Sequence, residues 1–81
     1  GIDDLHIEFS IYPNPVQDYL NIKSEDKDLT YIIYNLNGQI IMENNLDISN
    51  SINTGELGNG MYLLQLSSGN KKSIQKFIVN K

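Results

Sequence analysis

The stretch Thr30-Tyr31-Ile32-Ile33-Tyr34-Asn35-Leu36-Asn37-Gly38-Gln39-Ile40-Ile41-Met42-Glu43-Asn44-Asn45 decides the fold class. Two runs rich in Ile and Tyr flank the dipeptide Asn37-Gly38. Such residues fit a pleated, half-buried surface. Asn and Gly best tolerate the positive φ that a type I′ turn needs at both central positions. The stretch therefore reads as a β-hairpin, with one strand over Thr30–Leu36, a two-residue loop, and a return strand over Gln39–Asn45. That register sets Ile33 opposite Met42 and Tyr34 opposite Ile41.

The same chemistry recurs on both sides of this hairpin. Upstream, Ile7, Phe9 and Ile11 alternate with Glu8 and Ser10, the period of a half-buried strand over His6–Tyr12. Tyr12-Pro13-Asn14-Pro15 ends it, because proline has no N–H to give a ladder. A second strand spans Tyr19–Lys23, with Leu20 and Ile22 on one face, and a charged loop follows over Ser24–Asp28. Downstream, Ile48–Asn53 is a weaker strand suited to a sheet edge. Leu57 tucks beneath the loop Thr54–Asn59. In Gly60–Ser67, Tyr62, Leu64 and Leu66 share a face. Ser68-Gly69-Asn70 turns the chain into a last strand over Ser73–Asn80, with Phe77 and Val79 facing one way. Short strands with turn signals at intervals of roughly eight to twelve residues are the pattern of a seven-stranded, antiparallel β-sandwich of immunoglobulin or fibronectin type.

Composition agrees. The 81 residues suffice for one domain. Twelve Ile and five Tyr stand against no Ala, the best helix former. There are no cysteines, so neither a disulfide nor a thiolate metal site supports so small a core. Six Lys, no Arg and ten acids give a net charge of −4, which repels phosphate and argues against nucleic acid as a partner. Gly1–Leu5 reads as the end of a linker from a parent protein, of which this chain is expected to be an excised piece. Residues 6–81 then form the domain.

No catalytic constellation emerges. A Ser–His–acid arrangement would need His6, the only histidine, which has no nucleophile elbow near it. Asp4, His6 and Glu8 project from one face of an extended segment, but zinc sites need three or four converging ligands, and a polar outer face opposite Ile7 and Phe9 explains them. Glu25, Asp26 and Asp28 lack the spacing of a calcium loop. The glycines form no phosphate-binding motif. Tyr31, Tyr34 and Tyr62 lie in strands, where they pack rather than form a sugar platform. No cofactor or metal is expected.

In order and spacing, four segments resemble the carboxy-terminal sorting domain of type IX secretion cargo in the Bacteroidetes. They are Tyr12-Pro13-Asn14-Pro15 with Leu20-Asn21-Ile22, Ile33–Ile41 around Gly38-Gln39, Gly60-Met61-Tyr62-Leu63-Leu64-Gln65-Leu66, and Lys76–Lys81. The resemblance covers about Phe9 to Lys81, with Met61 in place of the family's usual valine. It implies a signal rather than an enzyme. Such domains follow a cargo domain in the parent protein and carry it from the periplasm to the outer-membrane translocon and its shuttle components. A sortase-like cysteine peptidase then commonly removes them, leaving the cargo at the cell surface or outside the cell. The residues expected to carry recognition are Pro13, Asn14, Pro15, Gly38, Gly60, Tyr62, Lys76 and Lys81. Pro13 and Pro15 fix the backbone beside an exposed Asn14. The last strand is expected to offer edge groups for strand addition. The alternative reading is a fibronectin-like accessory module that binds carbohydrate or spaces domains in a secreted hydrolase or adhesin.

Overall fold

Alternating burial along short strands builds two antiparallel sheets. A computed structural model of the chain describes residues 6–81. Strands β1 (Ser10–Tyr12), β2 (Tyr19–Lys23) and β5 (Ser51–Asn53) form one sheet in the order β1-β2-β5. Strands β3 (Thr30–Tyr34), β4 (Ile40–Asn45), β6 (Gly60–Ser68) and β7 (Lys71–Val79) form the other, in the order β4-β3-β6-β7. No helix occurs among the described residues. This is the expected β-sandwich. The order matches the immunoglobulin-type arrangement of strands A, B and E against C, F and G, with β4 added beside the C position.

Period-two alternation sends one set of side chains from each sheet inward. Leu20 and Ile22 from β2 meet Tyr31 and Ile33 from β3, Leu64 and Leu66 from β6, and Phe77 and Val79 from β7, all buried. Tyr62 is half-buried and stacks on Phe77 with ring centroids 5.7 Å apart. Leu57 is buried beneath its loop, as its sequence context suggests. A one-residue slip in any of these strands would exchange its core face for its solvent face, so the pattern fixes the register.

The first hairpin differs from the expected two-residue loop. Ile33 does pair with Met42, but Tyr34 pairs with Ile40 across a bulge. The Gly38 N–H donates to the Asn35 carbonyl at 3.0 Å, and the Asn35 N–H donates to the Gln39 carbonyl at 3.0 Å. Leu36 and Asn37 are thus the central turn residues, and Gly38 follows with φ +84°. The physical reason lies in the Asn35 side chain. Its Oδ1 accepts the backbone N–H groups of Asn37 and Gln39, and that favours a three-residue loop ending in a left-handed glycine.

Other strand ends also move, most of all the starts of the first, fifth and last strands. Period-two burial extends back to Ile7, yet ladder pairing in β1 begins only at Ser10. Ser73 Oγ substitutes for a neighbouring strand there, accepting the Ile7 N–H and donating to the Ile7 carbonyl, each at 2.8 Å. The fifth strand lies at a sheet edge but starts at Ser51, because Asp47 takes the Ser49 and Asn50 amides into a turn that leaves Ile48 in solvent. The last strand starts earlier, at Lys71, across a tight Gly69-Asn70 loop in which Gly69 has φ +61°.

Candidate functional site

The corner Pro13-Asn14-Pro15 leaves β1 exposed to solvent, with both its X–Pro peptide bonds cis. It leads to Val16, which is completely buried and forms a parallel bridge with Val79. The Val16 N–H donates to the Ile78 carbonyl at 2.8 Å, and the Asn80 N–H donates to the Val16 carbonyl at 3.0 Å. One step earlier, Asn14 Oδ1 accepts the Ile78 N–H at 3.0 Å. The corner therefore covers the outer edge of β7 over Ile78–Asn80. An uncovered edge there would present unpaired backbone groups to any passing strand.

The chain's last residue is held in the same region. The Lys81 N–H donates to Asn59 Oδ1 at 2.9 Å, and its Nζ donates to the Gly55 carbonyl. That loop is anchored in turn by Thr54, fully buried, whose N–H donates to the Asp18 carbonyl at 2.7 Å. Gly60 opens β6 with φ +151°, a conformation that side chains disfavour. The Tyr62 hydroxyl reaches back to the Gly58 carbonyl at 2.8 Å.

Strand direction gathers most of the singled-out residues at one end of the sandwich. Gly60 pairs with Val79, where β6 begins and β7 ends, and Tyr34 pairs with Leu63, so the loop carrying Gly38 leaves from that same end. Lys76 sits slightly apart, exposed on the outer face of the four-stranded sheet opposite Leu63. Two expectations change in detail. The β7 edge is partly occupied by the corner, and Asn14 and Lys81 are not loose surface side chains. Asn14 is flanked by prolines that remove N–H donors from its surroundings, which was the available signal that its carbonyl oxygen would serve the backbone elsewhere. Val16 and Thr54, which no motif singled out, prove to be packed at the same end.

The remaining chemistry is modest. His6 Nδ1 lies 3.0 Å from Ser73 Oγ. Asp26 pairs with Lys71 at 3.1 Å beside an open depression that His6, Glu8 and Glu25 also line. Among the described residues, no three His, Cys, Asp or Glu side chains are grouped to hold a metal. Asp4 and the linker Gly1–Leu5 lie outside the described residues. Tyr31, buried on the inner face, has its pKa raised from 10.0 by burial and secondarily by the charge of Asp47. The most exposed tyrosines are instead Tyr12 and Tyr19, 53% and 57% accessible.

No curated protein matches the chain. A family model described as the secretion system C-terminal sorting domain matches residues 10–80. The matched span begins at β1 and ends at Asn80, whose N–H donates to the Val16 carbonyl, so it contains the corner and both sheets. The chain belongs to the family of type IX secretion C-terminal sorting domains, a family of export signals for the cell surface or extracellular space rather than of catalysts.

Proposed function

We propose that this domain is the carboxy-terminal signal by which a preceding cargo domain passes from the periplasm through the type IX outer-membrane translocon. Shuttle components of that system bind it, and a sortase-like cysteine peptidase then removes it, leaving the cargo at the outer-membrane surface or outside the cell. The observation that carries this reading is the union of the proline corner with β7 through Asn14, Val16, Ile78 and Asn80. A signal must look the same whatever cargo precedes it. Here the two ends of the matched span form one surface whose backbone groups are held by hydrogen bonds. Gly38, Gly60 and Tyr62 maintain the shape of that end. Pro13, Asn14, Pro15, Lys76 and Lys81 supply the groups that a partner reads.

The test is a fusion of this chain to a periplasmic reporter in a host with a working type IX system. The reporter is expected to reach the surface or the medium. Lys76→Ser removes an exposed cation without touching the core, and export is expected to fall while the melting temperature stays unchanged. If a fully folded fusion stays in the periplasm, the reading is wrong.

A second reading, a carbohydrate-binding accessory module, draws on the outer face of the three-stranded sheet. There Tyr12 pairs with Asn21, and Tyr19 pairs with Asn53. Titration with oligosaccharides, followed through the Tyr12 and Tyr19 ring resonances, separates the two. Saturable shifts would favour the module.

A further inference from the structure

The outer face of the four-stranded sheet is largely apolar toward the end where β6 begins, and turns polar at the row Asn45, Thr30, Ser67 and Lys72. Strand pairing sets its rows. Ile40, Tyr34, Leu63 and Lys76 lie side by side across β4, β3, β6 and β7. The next row is Glu43, Ile32, Gln65 and Ile74. Met61 and Ile78 extend the patch where β6 meets β7. On β3, β6 and β7 these positions alternate with core residues, and pairing sets Ile40 and Glu43 of β4 beside them, so the side chains point away from the sandwich. Ile40, Met61 and Ile74 remain 55%, 45% and 60% accessible, and no described residue covers them. Strands that are apolar on both faces are usual where both faces are covered.

We propose that this face is a self-association surface, on which two copies of the domain stack face to face about a two-fold axis parallel to the strands. Charge selects the occupant and the axis. Lys72 and Lys76 project from β7 at one rim, and Glu43 projects from β4 at the other. An axis parallel to the strands lays β7 of one copy over β4 of its mate. Each Glu43 then falls between the mate's Lys72 and Lys76, in the row of Ile74. An axis perpendicular to the strands would set the lysines of one copy against those of the other. The same rotation lays Tyr34 over the mate's Leu63. Two stacked sheets with their strands nearly aligned are a standard packing.

Area sets the strength. Four strands about 4.8 Å apart and three rows about 7 Å apart offer roughly 400 Å² per copy. The total, about 800 Å², falls below the range of stable dimers, so the association is weak and concentration-dependent.

Sedimentation velocity of the whole chain from micromolar to millimolar concentration, at one fixed ionic strength, tests this. The average mass is expected to rise toward that of a dimer. Ile74→Ser and Ile40→Ser are each expected to weaken association by about tenfold or more without lowering the melting temperature. Glu43→Lys alone, and Lys72→Glu with Lys76→Glu, are each expected to abolish self-association. An equimolar mixture of those two variants is expected to form a heterodimer, because every rim contact is again between opposite charges. The proposal is overturned if the chain stays monomeric at millimolar concentration, if Ile74→Ser leaves the constant unmoved, or if the mixed variants remain monomers. It is also overturned if the face becomes protected only when the parent's preceding segment is attached, since that segment would then be the occupant.

Discussion

Asn14 Oδ1 accepts the Ile78 N–H at 3.0 Å, joining side chain to backbone across 64 positions in the sequence. A residue that looks like surface decoration between two prolines therefore closes the edge of the last strand. Its carbonyl oxygen supports the fold, while its amide nitrogen makes no hydrogen bond within the described residues.

This division makes the two roles of Asn14 separable. Asn14→Ala is expected to cost about 0.5–1.5 kcal/mol in urea denaturation, the ordinary worth of one hydrogen bond. Asn14→Asp keeps an acceptor for Ile78 and is expected to recover most of that loss. If the amide nitrogen is what the secretion machinery reads, Asn14→Asp will fold normally yet export the fused reporter poorly. Normal export by a well-folded Asn14→Asp fusion would place recognition on other groups.

Gly38 should be replaceable only by residues that tolerate a left-handed backbone. A Cβ built there meets no atom within 4 Å, so the whole cost is conformational. Gly38→Val is expected to lose about 1–2 kcal/mol, and Gly38→Asn distinctly less. Thermal melts of the two variants provide the comparison, and equal melting temperatures would contradict the turn geometry.

Ser73 should matter more than an ordinary serine. Its Oγ serves both backbone groups of buried Ile7. Ser73→Ala leaves that N–H and carbonyl without these partners and is expected to destabilise by about 1–3 kcal/mol. Hydrogen exchange at the Ile7 amide should accelerate by a larger factor than exchange at Leu64, because local release of the segment then precedes global unfolding.

Alkaline pH should destabilise the domain through Tyr31. Its folded pKa is raised above 10.0, chiefly by burial and then by Asp47. The unfolded chain therefore releases this proton first as pH rises. The stability that the neutral phenol contributes is intact below the unfolded pKa and is lost as pH climbs through the folded one. Denaturation midpoints measured upward from pH 9 should fall, and Tyr31→Phe should flatten the decline. An unchanged slope in Tyr31→Phe would assign the effect to other groups.

The core was legible in the sequence because alternation needs only neighbours. Leu20, Ile22, Leu64, Leu66, Phe77 and Val79 declare their faces by the polar residues between them, and all are buried. The first hairpin was legible as a hairpin but not in its loop, because the deciding group was the Asn35 side chain and not the Asn-Gly pair. The corner was legible as a corner, since prolines end strands. Its attachment to β7 was not, because Val16 carries no periodic pattern and the partner lies at the far end of the chain. Likewise, Thr30–Tyr34 announces a strand, but whether Tyr31 with Ile33 or Ile32 with Tyr34 faces inward is decided by the strands that pack against it.

The alignment of the first segment with β7 has a mechanical consequence. Ile7 is fastened at Ser73 and Val16 at Ile78 and Asn80, so the segment meets β7 at two points in parallel order, while β1 between them pairs with β2. Tension drawn between the segment entering at Ile7 and the end of β7 acts along these attachments rather than across them. Contacts loaded in shear share a pull and yield together, whereas contacts that are peeled yield one after another. A domain towed through a channel by one end, with a folded load on the other, would keep its shape best in this orientation.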